Sequence, residues 1–262
     1  MLEQRVMAGT DLRVSPVGLG TVKLGRDQQV KYPHGFVIPD DRAAANLLDI
    51  AQDLGINLLD TAPAYGNSEE RLGGLLKGHR QDWVICNKVG EAFENGQSHF
   101  DFSPHALRES VYRSLKRLHT DYLDMVLVHS SGDDLAIIND SGCLETVAEL
   151  KREGLVRAVG MSTKTVEGGI LALEHSDIAM VTYNLDSTHE KLVLDYAADH
   201  NKGILVKKAF ASGHACLRGQ DAVHESMKLV FSHPAVSATI IGTINPKHLK
   251  QNVRTCEAVL NN

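Results

Sequence analysis

Apolar residues fall into eight short, nearly unbroken runs separated by longer amphipathic stretches. The runs cover 17–20, 57–60, 83–88, 124–129, 156–161, 179–184, 203–208 and 238–242. Rich in Val, Ile and Leu and without alternation, they predict parallel strands buried on both faces. Helix-start signals lie between them: Asp40-Asp41 before 42–54, Asn67-Ser68-Glu69-Glu70 before 71–77, Ser103-Pro104 before 105–118, and Asn245-Pro246 before 247–260. Ahead of the first run, Gly9-Thr10-Asp11 separates Arg5-Val6-Met7 from Leu12-Arg13-Val14, which predicts a short hairpin.

Strands alternating with helices build right-handed crossovers. Eight units in a row predict an α/β fold closed as a (β/α)8 TIM barrel, one domain over 1–262 with a short N-terminal β-hairpin. A doubly wound open sheet is the alternative. Its GxGxxG fingerprint is not met, because Gly18-Leu19-Gly20-Thr21-Val22-Lys23 lacks the third glycine. Segments 23–39, 91–102 and 130–142 read as rim loops over the face where the strands end.

Composition narrows the class. The chain has 262 residues, 43% hydrophobic and 23% charged, enough to bury a core without disulfides. A net charge of −6 and no Lys/Arg-dense stretch argue against a nucleic-acid partner. Cys86, Cys143, Cys216 and Cys256 form no CxxC pair and read as reduced thiols. Met1-Leu2-Glu3-Gln4-Arg5 carries no apolar signal core, and no apolar stretch reaches a membrane span of about 18 residues, so a cytoplasmic protein without a membrane partner is expected. No HExxH or comparable ligand pair points to a metal, and no GxxxxGK[ST] to phosphate-ester chemistry.

Candidate chemistry sits where the runs stop. Asp60 and Tyr65 follow the second run, Lys88 ends the third and His129 the fourth. In a parallel barrel these termini share one face. A carboxylate, phenol, ammonium and imidazole together form an acid–base set suited to a carbonyl. Lys88 would lower the phenol pKa of Tyr65, Asp60 would hold Lys88, and His129 would polarise the substrate oxygen. None is an obvious nucleophile, so a hydride from reduced nicotinamide is the natural electron source. Singly, each has an ordinary reading: Asp60-Thr61 as a helix cap, Lys88 as a barrel-mouth ion pair, Tyr65 as a rim aromatic, His129 as a core histidine.

The chain resembles the aldo-keto reductase superfamily over essentially its whole length. The resemblance is carried by Val14-Ser15-Pro16-Val17-Gly18-Leu19-Gly20-Thr21, by Asn57-Leu58-Leu59-Asp60-Thr61-Ala62-Pro63-Ala64-Tyr65-Gly66-Asn67-Ser68-Glu69, by Lys88-Val89-Gly90, by Ser114-Leu115-Lys116-Arg117-Leu118 before Asp121-Tyr122-Leu123-Asp124, and by Gly160-Met161-Ser162 and Ile241-Gly242-Thr243. It implies that Asp60, Tyr65, Lys88 and His129 are the family's catalytic tetrad, acting in NAD(P)H-dependent reduction of a small aldehyde or ketone. It also implies a set of cofactor positions. Ser162 matches the residue that bonds the nicotinamide carboxamide, with Thr163 in place of the usual Asn and Met180 in place of a glutamine. Phe210 matches the stacking aromatic, and Ser212 and Gly213 the pyrophosphate segment. Gly242, Thr243, Asn245, His248, Gln251 and Asn252 lie where the adenosine half binds. Gly20, Thr21, Asp60 and Lys208 complete the set. NADP(H) is implied ahead of NAD(H), although Gly242 and His248 stand where NADPH-preferring relatives often carry Lys and Arg. Tyr32, His34, Phe36, Phe93 and Phe100 are candidate pocket residues, and a monomer or weak oligomer is expected. The alternatives are a non-catalytic redox-responsive binding protein, or a Schiff-base aldolase using Lys88, Lys207 or Lys208.

Overall fold

In the computed structural model, which describes residues 1–261, eight parallel strands close on themselves. Numbered along the chain, the strands are β1 (Arg5–Val6), β2 (Arg13–Val14), β3 (Val17–Gly20), β4 (Leu58–Asp60), β5 (Val84–Val89), β6 (Glu91–Glu94), β7 (Gln97–Phe100), β8 (Leu123–His129), β9 (Val156–Ser162), β10 (Ile178–Thr182), β11 (Gly203–Lys207) and β12 (Val236–Ile241). The barrel runs β3-β4-β5-β8-β9-β10-β11-β12 and returns to β3. Around it lie α1 (Val22–Gly25), α2 (Asp41–Asp53), α3 (Ser68–Leu75), α4 (Pro104–Arg117), α5 (Asp134–Ser141), α6 (Cys143–Arg152), α7 (Val166–Glu174), α8 (Lys191–Asp199), α9 (Gln220–Phe231) and α10 (Pro246–Leu260).

The helices start where short polar side chains can accept their free N–H groups. Asp40, Ser103 and Asn245 accept from Ala43, Ala106 and Lys247 at 2.8, 3.3 and 2.9 Å. Apolar packing divides into two bodies. The larger lies between the barrel wall and the helices. The smaller fills the barrel interior and includes Leu58, Cys86, Met125, Leu127, Met180 and Leu205. Met7, Leu12 and Val14 of the β1–β2 hairpin belong to this inner body, so the hairpin plugs the barrel at the strand N-termini. Met7 is fully buried against Gly203, where a Cβ would stand 2.8 Å from its Cγ.

Two of the expected rim loops carry regular structure. Segment 91–102 contains the antiparallel pair β6–β7, turned by Asn95 and Gly96 with φ of 52° and 77°. That left-handed pair is what an Asn-Gly hairpin turn requires. Segment 130–142 contains α5, capped by Asp133 through Ala136 N. Segment 23–39 does cross the mouth: Tyr32 and Phe36 reach the cavity described below, and Pro33 lies against Gly213. No helix among the described residues is long and apolar enough to cross a membrane.

Candidate active site

Asp60 is the last residue of β4, Lys88 lies one from the end of β5, and His129 ends β8. Tyr65 closes the 3-10 turn Pro63–Tyr65. Gly66 after it takes φ 63°, and a Cβ there would come within 2.0 Å of Gly25 O, so only glycine lets this turn seat against α1.

The strand register converts these positions into contacts. Lys88, 1% exposed, donates to Asp60 Oδ1 and, at 3.1 Å, to Thr61 O. The Tyr65 hydroxyl donates to Asp60 Oδ2 at 3.1 Å. Lys88 Nζ stands 4.7 Å from the Tyr65 ring centroid, and the His129 ring meets that ring edge-on at 6.5 Å. All four side chains line one cavity of about 790 Å³. A buried hydroxyl chain supports the carboxylate's strand: Ser68 Oγ donates to Thr21 Oγ1 at 2.8 Å, which donates to Asp60 O at 2.9 Å. Glu69 beside it is buried and accepts from Asn87 at 2.9 Å and Arg117 at 3.1 Å.

Electrostatics set the protons. Burial alone would discharge Lys88, but the pull of Asp60, with Tyr65 and Cys86 adding to it, outweighs burial and holds the ammonium charged. Burial and the Asp60 carboxylate raise the Tyr65 phenol above its ordinary value, with Lys88 pulling the other way. The expected lowering is therefore real as a contribution of Lys88 and is outweighed. Burial, with Lys88 and Lys207 adding to it, lowers the His129 imidazole, while Glu91 opposes them.

The expected cofactor positions mostly share this cavity. Gly20, Asp60, Ser162, Met180, Lys208, Phe210, Ser212, Gly213, Gly242, Thr243, His248, Gln251 and Asn252 line it. Three do not. Thr21 spends its hydroxyl on the chain to Asp60. Thr163 is fully buried behind the wall, its carbonyl accepting from Lys207 at 2.6 Å. Asn245 caps α10. Among the candidate pocket aromatics, Tyr32 and Phe36 line the cavity, as does His34. Phe93 instead lies under Arg26 at 3.6 Å, and Phe100 is exposed beside Phe102. Burial, then Asp60, pushes Tyr32 up to about 12.

Lys23, Arg26 and Cys216 also line the wall without having been singled out in the sequence. Among the described residues the wall carries six basic side chains, Lys23, Arg26, Lys31, Lys88, Lys207 and Lys208, against the one carboxylate Asp60. Lys207 donates to Ser162 Oγ at 2.8 Å, and burial lowers it well below an ordinary lysine, with Glu190 pulling the other way. At Gly242 a Cβ would meet the Tyr32 hydroxyl at 2.9 Å, so bare backbone lines the groove there. A cationic, glycine-floored cleft of this size fits an elongated anionic ligand such as a dinucleotide. Among the described residues, no group of three His, Cys, Asp or Glu side chains is placed to hold a metal ion.

Comparison with known proteins agrees with the geometry. The model of the aldo/keto reductase family matches residues 16–226. The chain belongs to the aldo-keto reductase family. It is similar to a crystal structure of a candidate aldo-keto reductase from Pseudomonas aeruginosa, with a TM-score of 0.90 and 57% identity over 98% of this chain and 95% of that one. An aldo-keto reductase from Bacillus halodurans in its holo form gives a TM-score of 0.83 at 26% identity, covering 98% and 91%. The chain is also 31% identical to the NADH-specific methylglyoxal reductase of Escherichia coli over 76% of its own length and 64% of that protein. As an aldo-keto reductase it is an oxidoreductase of carbonyl compounds that depends on a nicotinamide cofactor.

Proposed function

We propose that this aldo-keto reductase reduces a small aldehyde or ketone to the alcohol, with Tyr65 as the proton donor. The observation that carries the proposal is the chain Lys88–Asp60–Tyr65 inside a cationic cavity. When bound, the reduced nicotinamide supplies hydride to the carbonyl carbon. Tyr65 gives its proton to the oxygen as charge develops there. Its raised pKa keeps that proton in place at rest, and an alkoxide is basic enough to take it. Lys88, held charged by Asp60, stabilises the tyrosinate left behind. His129 lines the same cavity with its ring edge-on to that of Tyr65, within reach of the same oxygen.

The groove of Gly213, Gly242, His248, Gln251 and Asn252 would hold the cofactor, with the surrounding cations opposite its phosphates. We assign NADP(H) ahead of NAD(H). Titration with both cofactors, followed by an aldehyde panel, tests activity and preference together. Absence of cofactor oxidation across the panel overturns the reductase reading, and tighter binding of NADH overturns the preference. The same reading takes the protein as a cytoplasmic monomer or weak oligomer, which sedimentation tests.

A further inference from the structure

Glu91 opens the β6–β7 hairpin immediately after Lys88-Val89-Gly90. Its Oε1 accepts from Ser98 Oγ of β7 at 2.7 Å, and its Oε2 stands 2.8 Å from His129 Nδ1. The approach is off the ring's N–H axis, so the contact is a bent one rather than a linear hydrogen bond, and it becomes an ion pair only when the ring is protonated. Nδ1 is buried while the imidazole lines the cavity, so the Nε2 edge is the one a ligand meets.

Even off the axis, a carboxylate oxygen only 2.8 Å from an unprotonated, electron-rich Nδ1 is repelled. A proton must therefore lie on Nδ1, and a neutral imidazole carries only one. We propose that Glu91 is a positioning residue that fixes His129 as its Nδ1–H tautomer, so that toward the cavity the neutral ring accepts a hydrogen bond and only the imidazolium donates one. A carbonyl oxygen needs a donor, so reduction favours the protonated ring. An alcohol hydroxyl needs an acceptor, so the reverse oxidation favours the neutral ring.

The groups facing this pair come from several elements. Lys88 of β5 and Lys207 of β11 disfavour protonation of His129, as its burial does, and Glu91 favours it. Burial opposes ionisation of Glu91, yet His129, Ser98 and Arg26 together hold its carboxyl below the usual range. Tyr65 meets the imidazole only edge-on. Glu91 is thus a standing anion next to a ring whose charge can change.

The catalytic half of this inference rests on the reductase reading; the tautomer does not. Nitrogen-15 NMR of the whole protein without ligand reads it directly, with the His129 signals assigned by their loss in His129→Asn. The expected result is Nδ1 protonated and Nε2 bare at neutral pH. Glu91→Ala should mix the tautomers and move the limb where reductive kcat/KM falls with rising pH, which His129 deprotonation sets, about one pH unit lower. Glu91→Gln, which keeps an acceptor but no charge, should restore the tautomer and not the limb. Nε2 found protonated in the native protein overturns the proposal, and so does Glu91→Ala leaving both tautomer and limb unmoved. Should Glu91→Ala not fold, the native spectrum and Glu91→Gln still decide. A protein that turns over no carbonyl sinks the reductase reading alone.

Discussion

Replacing Lys88 by methionine removes the cation from the centre of the site while keeping most of its volume. Asp60, 3% exposed, then loses the partner that balances it. Taking one member from a buried ion pair costs about 3–5 kcal/mol of stability. The catalytic loss has a separate origin. Unit charges at the 4.7 Å between Lys88 Nζ and the Tyr65 ring interact by about 3.5 kcal/mol at an effective dielectric of about 20. That corresponds to between two and three orders of magnitude in any step that leaves negative charge on the phenol. Steady-state aldehyde reduction should therefore fall by about 10²–10³ in kcat/KM. Cofactor affinity from calorimetry should change by less than about threefold, because Lys88 is a buried charge at the catalytic end of a long groove whose other basic side chains remain. Urea unfolding establishes that the variant is folded before its rate is read. A folded Lys88→Met enzyme keeping more than about a tenth of the native kcat/KM would refute the stabilised-tyrosinate argument.

Tyr65→Phe removes only the donated proton, so kcat should drop by about 10²–10⁴ with cofactor affinity unchanged; single-turnover kinetics check both. Because burial and Asp60 raise the Tyr65 phenol, the donor stays protonated beyond the ordinary range. Above the limb set by His129, the reductive pH profile should show no second fall near the unperturbed phenol value of about 10, whereas alcohol oxidation should climb with pH; a second reductive fall there contradicts the assignment. Met7→Ala opens the plug of the barrel floor and should cost about 2–5 kcal/mol in urea unfolding, while cofactor affinity at the opposite mouth stays constant.

The eight barrel strands were legible because a strand buried on both faces leaves an unbroken apolar run. Their ends were less so. The run 179–184 overshoots β10, since Asn184 turns away and donates its side-chain amide to Lys208 O at 2.8 Å. Lys208 itself leaves β11 by taking φ 57°. The four ionisable residues could be read as a set from their places at strand ends, but not their protonation. That depends on burial and on which charge lies nearest. The β6–β7 hairpin carried its own signal in Asn95-Gly96, masked by the polar, loop-like composition around it. Glu91 had no local signal at all, because its partner His129 lies two strands further along the chain. Thr21 and Asn245, read as groove positions, do not line the cavity for a related reason. Small polar residues beside a groove serve equally as caps and braces, and only the hydrogen-bond partners distinguish these roles.

Charge compensation explains why such a set can be buried together. Lys88 is neutralised by Asp60, and His129, when protonated, by Glu91. Tyr65 is the member with no counter-ion of its own, and as a neutral phenol it needs none. In the proposed reaction, transfer of its proton to substrate oxygen therefore adds one negative charge to the protein side of the site. Asp60 resists that charge and Lys88 accepts it, and in the resting site burial and Asp60 prevail. On the proposed mechanism the proton leaves only when hydride arrival makes the substrate oxygen a far stronger base than the phenolate. Coupling of the two transfers thus follows from the local electrostatics, without any movement of the four side chains. A substrate whose oxygen never becomes basic would leave Tyr65 protonated.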